Sequence, residues 1–268
     1  MPYFVGIDIG SAGIKAAAVD EAGNLSGFAV CPTGGSFANN AQKAFEELLQ
    51  QLCMRREDIV RVVSTGYGRK LFKPADEFVS EITANARGAF RIDAGVRTVI
   101  NVGGQDVKVI RLDEAGNVVN FAMNDKCAAG TGRFLEMAAR ILEFNVDQLG
   151  ELHAEFQGVP PTLASTCAVF AETEIISLLA AGHPKPQVIA GVHYSIARRM
   201  AGLARTVGVA DVIFFDGGPA ENCGLVEALR KTLIRKVVVP HLPQITTAYG
   251  AALTARASEA SPAADVRR

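Results

Sequence analysis

Two cysteines stand where a helix is expected to begin, and both could hold a metal as thiolates. Cys127 precedes Phe134, Ala138, Ile141 and Leu142, whose i, i+4, i+7, i+8 spacing marks one helical face. Cys167, after Ser165 and Thr166, precedes Ala171, Ile175, Leu178 and Leu179 at the same spacing, and Gly182 and Pro184 close that run. The first four amides of a helix lack intrahelical partners, and the helix dipole places positive charge there. Such an end stabilises a thiolate and any anionic cluster that the thiolate binds. The other three cysteines are expected to be buried apolar residues: Cys31 in a strand, Cys53 in an amphipathic helix, Cys223 behind a glycine turn. His183 and His193 are expected to flank a helix and to do no chemistry.

Three glycine turns follow apolar strands, at Gly10, Gly103-Gly104 and Gly217-Gly218. Glycine lets backbone approach a phosphate or a base and offers amide donors with no side chain in the way. Neither the P-loop pattern nor Gly-x-Gly-x-x-Gly occurs, which disfavours those two nucleotide folds.

The elements that would position these groups repeat. Strands are predicted over Tyr3–Ile9, Ile14–Val19 and Leu25–Cys31, with the turn Asp20–Asn24 between the last two. A gapless second copy follows: Asp8 falls on Asn101, Gly10 on Gly103, Lys15 on Lys108, and Asp20–Asn24 on the identical Asp113–Asn117. One constant offset across a whole hairpin implies two copies of one lobe. Further strands are predicted at Val60–Ser64, Val212–Phe215 and Val237–Val239. Helices are predicted at Asn40–Leu52, Glu81–Phe90, His193–Val207 and Thr247–Ala257.

A chain of 268 residues, 49% hydrophobic with a net charge of −1, can build two cores. Near-neutral charge leaves no electrostatic footprint for nucleic acid or an anionic membrane, and no apolar run reaches spanning length. Five cysteines suggest no disulfide framework, so a reducing cytoplasm is expected.

Together the turns resemble the actin–Hsp70–sugar kinase ATPase fold, an α/β fold of duplicated ribonuclease H-like lobes with mixed sheets flanked by helices. Within it, Gly6–Ser11, Thr65–Arg69, Gly103–Asp106, Met123–Phe134 and Ser165–Glu174 resemble the ATP-hydrolysing activators of 2-hydroxyacyl-CoA dehydratases, a family that includes benzoyl-CoA reductase ATPase subunits. The resemblance spans nearly the whole chain, and Met123–Phe134 is its most specific part.

The resemblance implies a first lobe over 1–96 completed by a C-terminal helix at 245–257 and a second over 97–244; the Ala-, Ser- and Pro-rich end of the chain predicts a disordered tail at 258–268. It implies a homodimer with one [4Fe–4S] cluster held by Cys127 and Cys167 of each copy. Two cysteines without Cys-x-x-Cys are half of the four thiolates that such a cluster needs. ATP or ADP would meet Gly10, Ser11, Ala12 and Lys15, then Gly103, Gly104 and Gln105, with adenosine at Gly217, Gly218, Pro219 and Gln244. Asp8, joined by Asp106, would coordinate Mg²⁺, and Gln105 would orient the attacking water.

The implied function is ATP-driven delivery of a low-potential electron to a 2-hydroxyacyl-CoA dehydratase, with ferredoxin or flavodoxin as donor. The alternatives are the ATPase subunit of a benzoyl-CoA reductase type enzyme and an amino-sugar kinase. Three departures from the family pattern stand out: Asn101 in place of Asp, Ala12-Gly13-Ile14 after Ser11, and Pro219 in the third turn. If Asn101 replaces a useful carboxylate, restoring Asp there is expected to speed hydrolysis. Four helix ends around one cluster would favour its negative charge by about 2–4 kcal/mol.

Overall fold

A computed structural model describes residues 2–125, 127–163 and 167–260. The chain divides into two compact units, one of residues 1–94, 115–118 and 244–268 and the other of residues 95–114 and 119–243. The tail expected to be disordered lies, from 261 onward, outside the described residues.

Each unit is a five-stranded mixed sheet with helices against it. In the first, β1 (Tyr3–Ile9), β2 (Gly13–Val19), β3 (Leu25–Pro32), β4 (Ile59–Thr65) and β5 (Glu77–Phe78) lie in the order β3-β2-β1-β4-β5. In the second, β6 (Thr98–Val102), β7 (Val107–Leu112), β8 (Val118–Asn124), β9 (Ile213–Asp216) and β10 (Val237–Val238) lie in the order β10-β9-β6-β7-β8. Read from the other edge, that is the same sheet. β1 runs antiparallel to β2 and parallel to β4, as β6 does to β7 and β9. This is the duplicated ribonuclease H-like order of actin-like ATPases. The repeat extends one strand further than the sequence reading: β8 copies β3, although Val118–Asn124 was not read as a strand. Its alternate residues Val119, Phe121 and Met123 are exposed, so no buried face marks it, and ladder pairing makes it a strand.

Both faces of the first sheet are covered, which is why β1 is a continuous apolar run. Val5, Ile7 and Ile9 pack with Phe45 and Leu48 of α1 (Phe37–Gln51). Phe4, Ala17 and Val63 pack with Ala248, Ala251 and Ala252 of α8 (Thr246–Ala260). The small residues of α8 allow backbone contact. A Cβ on Gly250 would lie 1.7 Å from the Ala84 carbonyl oxygen in α2 (Glu81–Ile92). The second unit buries Ile100, Val102, Phe134, Leu135, Ile196 and Phe215 in one core. These join β6 and β9 to α3 (Gly132–Leu142) and α6 (Lys185–Val207), with α4 (Leu149–Ala154), α5 (Ala168–Ala180) and α7 (Cys223–Leu233) around them. Of the stripe read from sequence, Phe134, Ala138 and Leu142 are buried and Ile141 half-buried.

Candidate functional site

In the first unit, β1 delivers Asp8 to the end of the sheet, where it is only 8% exposed. Lys15, its partner across β1 and β2, brings Nζ to 3.6 Å from Asp8 Oδ2. The next residues close a tight turn, in which Gly10 N–H donates to the Gly13 carbonyl at 3.1 Å. The Thr33 hydroxyl donates to the Gly10 carbonyl at 2.7 Å. Gly66, at φ +93°, lies against Asp8: a Cβ there would be 2.7 Å from Oδ1 and 2.6 Å from the Ile9 carbonyl oxygen. That left-handed backbone and that closeness require glycine. Ser11 and Ala12 are half-buried on the same turn.

The second unit repeats the turn with different polar contacts. Gly103 N–H donates to the Asp106 carbonyl at 2.9 Å. Lys108 pairs across the strands with Asn101, which carries no charge, and takes its carboxylate from Asp106, at 2.6 Å. The Asn101 amide donates instead to Asp216 Oδ1 at 2.9 Å. Asp216 is fully buried at the end of β9 and was missed in the sequence. Its signal was there: Asp216 precedes Gly217 as Asp8 precedes the first turn. Gln105 is exposed at the tip.

This geometry reverses the expectation for residue 101. An aspartate there would set a second carboxylate against buried Asp216, so one must take a proton or the turn must shift. We expect Asn101→Asp to lose about 1–3 kcal/mol at pH 7.5 and to hydrolyse ATP no faster. The raised carboxyl pKa fixes the sign: the loss should shrink as pH falls through it, which urea melts at two pH values would detect.

The third turn is a 3-10 turn over Gly218–Glu221. Gly217, at φ +93°, packs on β6 so closely that a Cβ would be 2.1 Å from the Val102 carbonyl oxygen. A Cβ on Gly218 would meet nothing within 4 Å, so this glycine borders open space. Gln244 lies in the short turn Pro243–Ile245.

The cysteines do not stand alike. Cys167 is the N-cap residue of α5, as expected. Cys127 is not at a helix start: α3 begins at Gly132 after its N-cap Thr131. The first amides of α3 are already used. Gly132 N–H donates to the Gly103 carbonyl at 3.0 Å, Arg133 N–H to the Gly104 carbonyl at 2.9 Å, and Phe134 and Leu135 N–H to Thr131. A Cβ on Gly132 would be 3.3 Å from the Gly103 oxygen and 3.5 Å from Pro219 Cγ. The second turn, the third turn and the start of α3 therefore converge within one unit. Cys127 and Cys167 are half-buried thiols, while Lys126, Ser165 and Thr166 lie outside the described residues.

Of the remaining cysteines, Cys31 matches the expectation of a buried strand residue, and Cys53 and Cys223 depart from it. Cys31 is buried in β3, and burial pushes its thiol pKa up. Cys53 and Cys223 are exposed. Cys53 lies beyond α1 at φ +50°, and Cys223 is the first residue of α7, a helix start that sequence reasoning did not assign.

His193 lies inside α6, not at its flank, and is fully buried. Its Nδ1 is 2.7 Å from Nδ1 of His153 in α4. Burial, then the charge of His153, lowers the His193 pKa to about 3. Burial lowers that of His153 too, against a weaker pull from Glu227. With folded values below the unfolded ones, the unfolded chain binds protons first, so stability falls as pH drops below about 6.5. For His193 the loss should be about 2 kcal/mol at pH 5. Urea midpoints at pH 7 and pH 5 should differ more in the wild type than in His193→Gln.

An activator of lactoyl-CoA dehydratase from Anaerotignum propionicum is 43% identical over 253 residues, covering 94% of this chain and 97% of that protein. Component A of (R)-2-hydroxyglutaryl-CoA dehydratase from Acidaminococcus fermentans has a crystal structure that matches with a TM-score of 0.93 at 40% identity, over 97% of this chain and 100% of that one. The activator of the 2-hydroxyisocaproyl-CoA dehydratase from Clostridium difficile, solved with bound ADPNP, matches with a TM-score of 0.91 at 38% identity, over 99% and 100%. With the family model itself matching residues 5–255, the chain belongs to the BadF/BadG/BcrA/BcrD ATPase family.

Proposed function

We propose that this protein is an ATP-hydrolysing activator that passes a low-potential electron to a 2-hydroxyacyl-CoA dehydratase. The observation that carries the reading is the tether between the second glycine turn and the cysteine segment: the Gly103 and Gly104 carbonyls accept from the first amides of α3, five residues after Cys127. Relatives about as long as this chain, named as dehydratase activators, support the choice of partner. An amino-sugar kinase needs a carboxylate base beside its acceptor hydroxyl, and nothing among the described residues favours one.

Nucleotide phosphates are held at Gly10, Ser11, Ala12 and Lys15 and at Gly103, Gly104 and Gln105, and adenosine at Gly217, Gly218, Pro219 and Gln244. Asp8 would hold Mg²⁺ and Gln105 would orient the attacking water. The charge of Asp106 is engaged by Lys108, so its part is to shape the turn.

Cys127 and Cys167 would supply half of the thiolates of a [4Fe–4S] site. Both are partly exposed thiols, and among the described residues no group of three or more His, Cys, Asp or Glu could hold a metal within one chain. A two-fold axis supplies the other half. Val169, Phe170 and Ile176 of α5 are 69%, 66% and 51% exposed, an apolar surface beside Cys167 that a second copy would cover. When bound, the cluster supplies one-electron chemistry, with ferredoxin or flavodoxin as the electron source.

With the α3 amides engaged, two helix ends rather than four would face the cluster. They favour its charge by about 1–2 kcal/mol, or roughly 40–85 mV. Loss of the γ-phosphate at Gly103-Gly104 would pass to the cysteine segment through the two tether bonds. Redox titration should therefore give different midpoints with a non-hydrolysable ATP analogue and with ADP. Equal midpoints would sink this coupling. Iron analysis and a visible spectrum of the anaerobically purified protein test the cluster itself.

A further inference from the structure

The buried histidine pair has a defined proton arrangement. Asn222 caps α7 by accepting from Leu225 N–H with Oδ1 at 2.9 Å. That turns its Nδ2 toward His193 Nε2, at 3.2 Å. An amide nitrogen only donates, so His193 Nε2 must present its lone pair and its hydrogen must lie on Nδ1. His193 Nδ1–H then donates to His153 Nδ1 at 2.7 Å, which leaves the hydrogen of His153 on Nε2. The two rings stack with centroids 5.0 Å apart and an interplanar angle of 15°. The start of α7 closes on them: a Cβ on Gly224 would lie 2.8 Å from His193 Nδ1 and 2.6 Å from His153 Cβ.

Asn222 is also the end of the third glycine turn. It follows Gly218–Glu221 directly, and its own N–H donates to the Pro219 carbonyl at 3.2 Å. At the other end of the turn, Gly217 N–H donates to the Pro243 carbonyl at 2.9 Å. A packing role alone would be met by an apolar residue at 193. The histidine instead gives the half-buried Asn222 amide an acceptor at the edge of the core, where an unpaired donor costs stability.

We propose that His193 is a positioning residue for adenosine binding, fixing the third glycine turn through Asn222 and held in one tautomer by His153. This rests on the reading that Gly217, Gly218 and Pro219 meet adenosine. His193→Leu removes the acceptor. Asn222→Ser keeps a capping hydroxyl but removes the amide donor, so it tests the link should the leucine variant fold poorly. His193→Gln keeps a side-chain acceptor.

The test measures binding of ADP and of tripolyphosphate, which has no adenosine, to the full-length protein. His193→Leu and Asn222→Ser should weaken ADP about tenfold while leaving tripolyphosphate within about twofold, and His193→Gln should recover most of the loss. A purely structural role would weaken both ligands alike. Imidazole ¹⁵N spectra of the wild type should show the Nδ1–H tautomer for His193 and the Nε2–H tautomer for His153. Unchanged ADP affinity in Asn222→Ser, equal loss of both ligands, or the opposite tautomers would overturn the inference. Wild-type protein that binds ADP no more tightly than tripolyphosphate would overturn the adenosine reading itself, and this inference with it.

Discussion

Cys127→Ser and Cys167→Ser are each expected to yield colourless, iron-free protein after anaerobic purification. In a two-fold assembly one substitution removes two of four thiolates, and a neutral hydroxyl does not replace them. The controls are sharper than the sequence alone suggested. Cys53 and Cys223 are exposed thiols as well, and Cys223 stands at the start of α7. If exposure or a helix start were enough, Cys223→Ala would also lose iron. We expect Cys53→Ala and Cys223→Ala to keep their full iron content and brown colour. Full iron retention in either serine variant, or iron loss in Cys223→Ala, would remove Cys127 and Cys167 as the cluster pair. Circular dichroism of each variant would separate cluster loss from unfolding.

Asp8→Asn should reduce ATP turnover by about a hundredfold, the scale seen when one preorganised polar or charged group is removed. Asparagine keeps the shape of the side chain, so Gly66 can still pack on it and the turn after β1 should persist. What disappears is the charge that Lys15 Nζ approaches at 3.6 Å and that would hold Mg²⁺. The loss should therefore fall on kcat, and ATP binding without Mg²⁺ should change little. Turnover within about threefold of wild type would place the metal on another group.

Some of this was legible in the residues alone. The gapless repeat of Asp20–Asn24 at Asp113–Asn117 revealed two copies of one hairpin lobe, because turn chemistry and strand alternation are local. The glycine turns were legible for the same reason, since glycine without a packing need marks a backbone that must bend or be approached. The cysteines were half legible. Cys167 does cap α5, but helical periodicity after Cys127 could not show that Thr131 takes the capping place.

Only the tertiary structure decided what depends on partners far apart in the chain. Asn101 read as a lost carboxylate until Asp216, 115 positions away, became its acceptor. Lys15 and Lys108 occupy equivalent positions, yet one takes its carboxylate from across the strands and the other from two residues before. His193 looked like a helix flank, because sequence cannot show that His153 and Asn222 close on it inside the core. The start of α3 carries the same lesson. Its amides were counted as available to a cluster, and the carbonyls that take them, Gly103 and Gly104, come from a turn about thirty residues earlier. Periodicity and turn chemistry are local properties of a chain, whereas the partner of a buried polar group is set by packing that brings distant segments together.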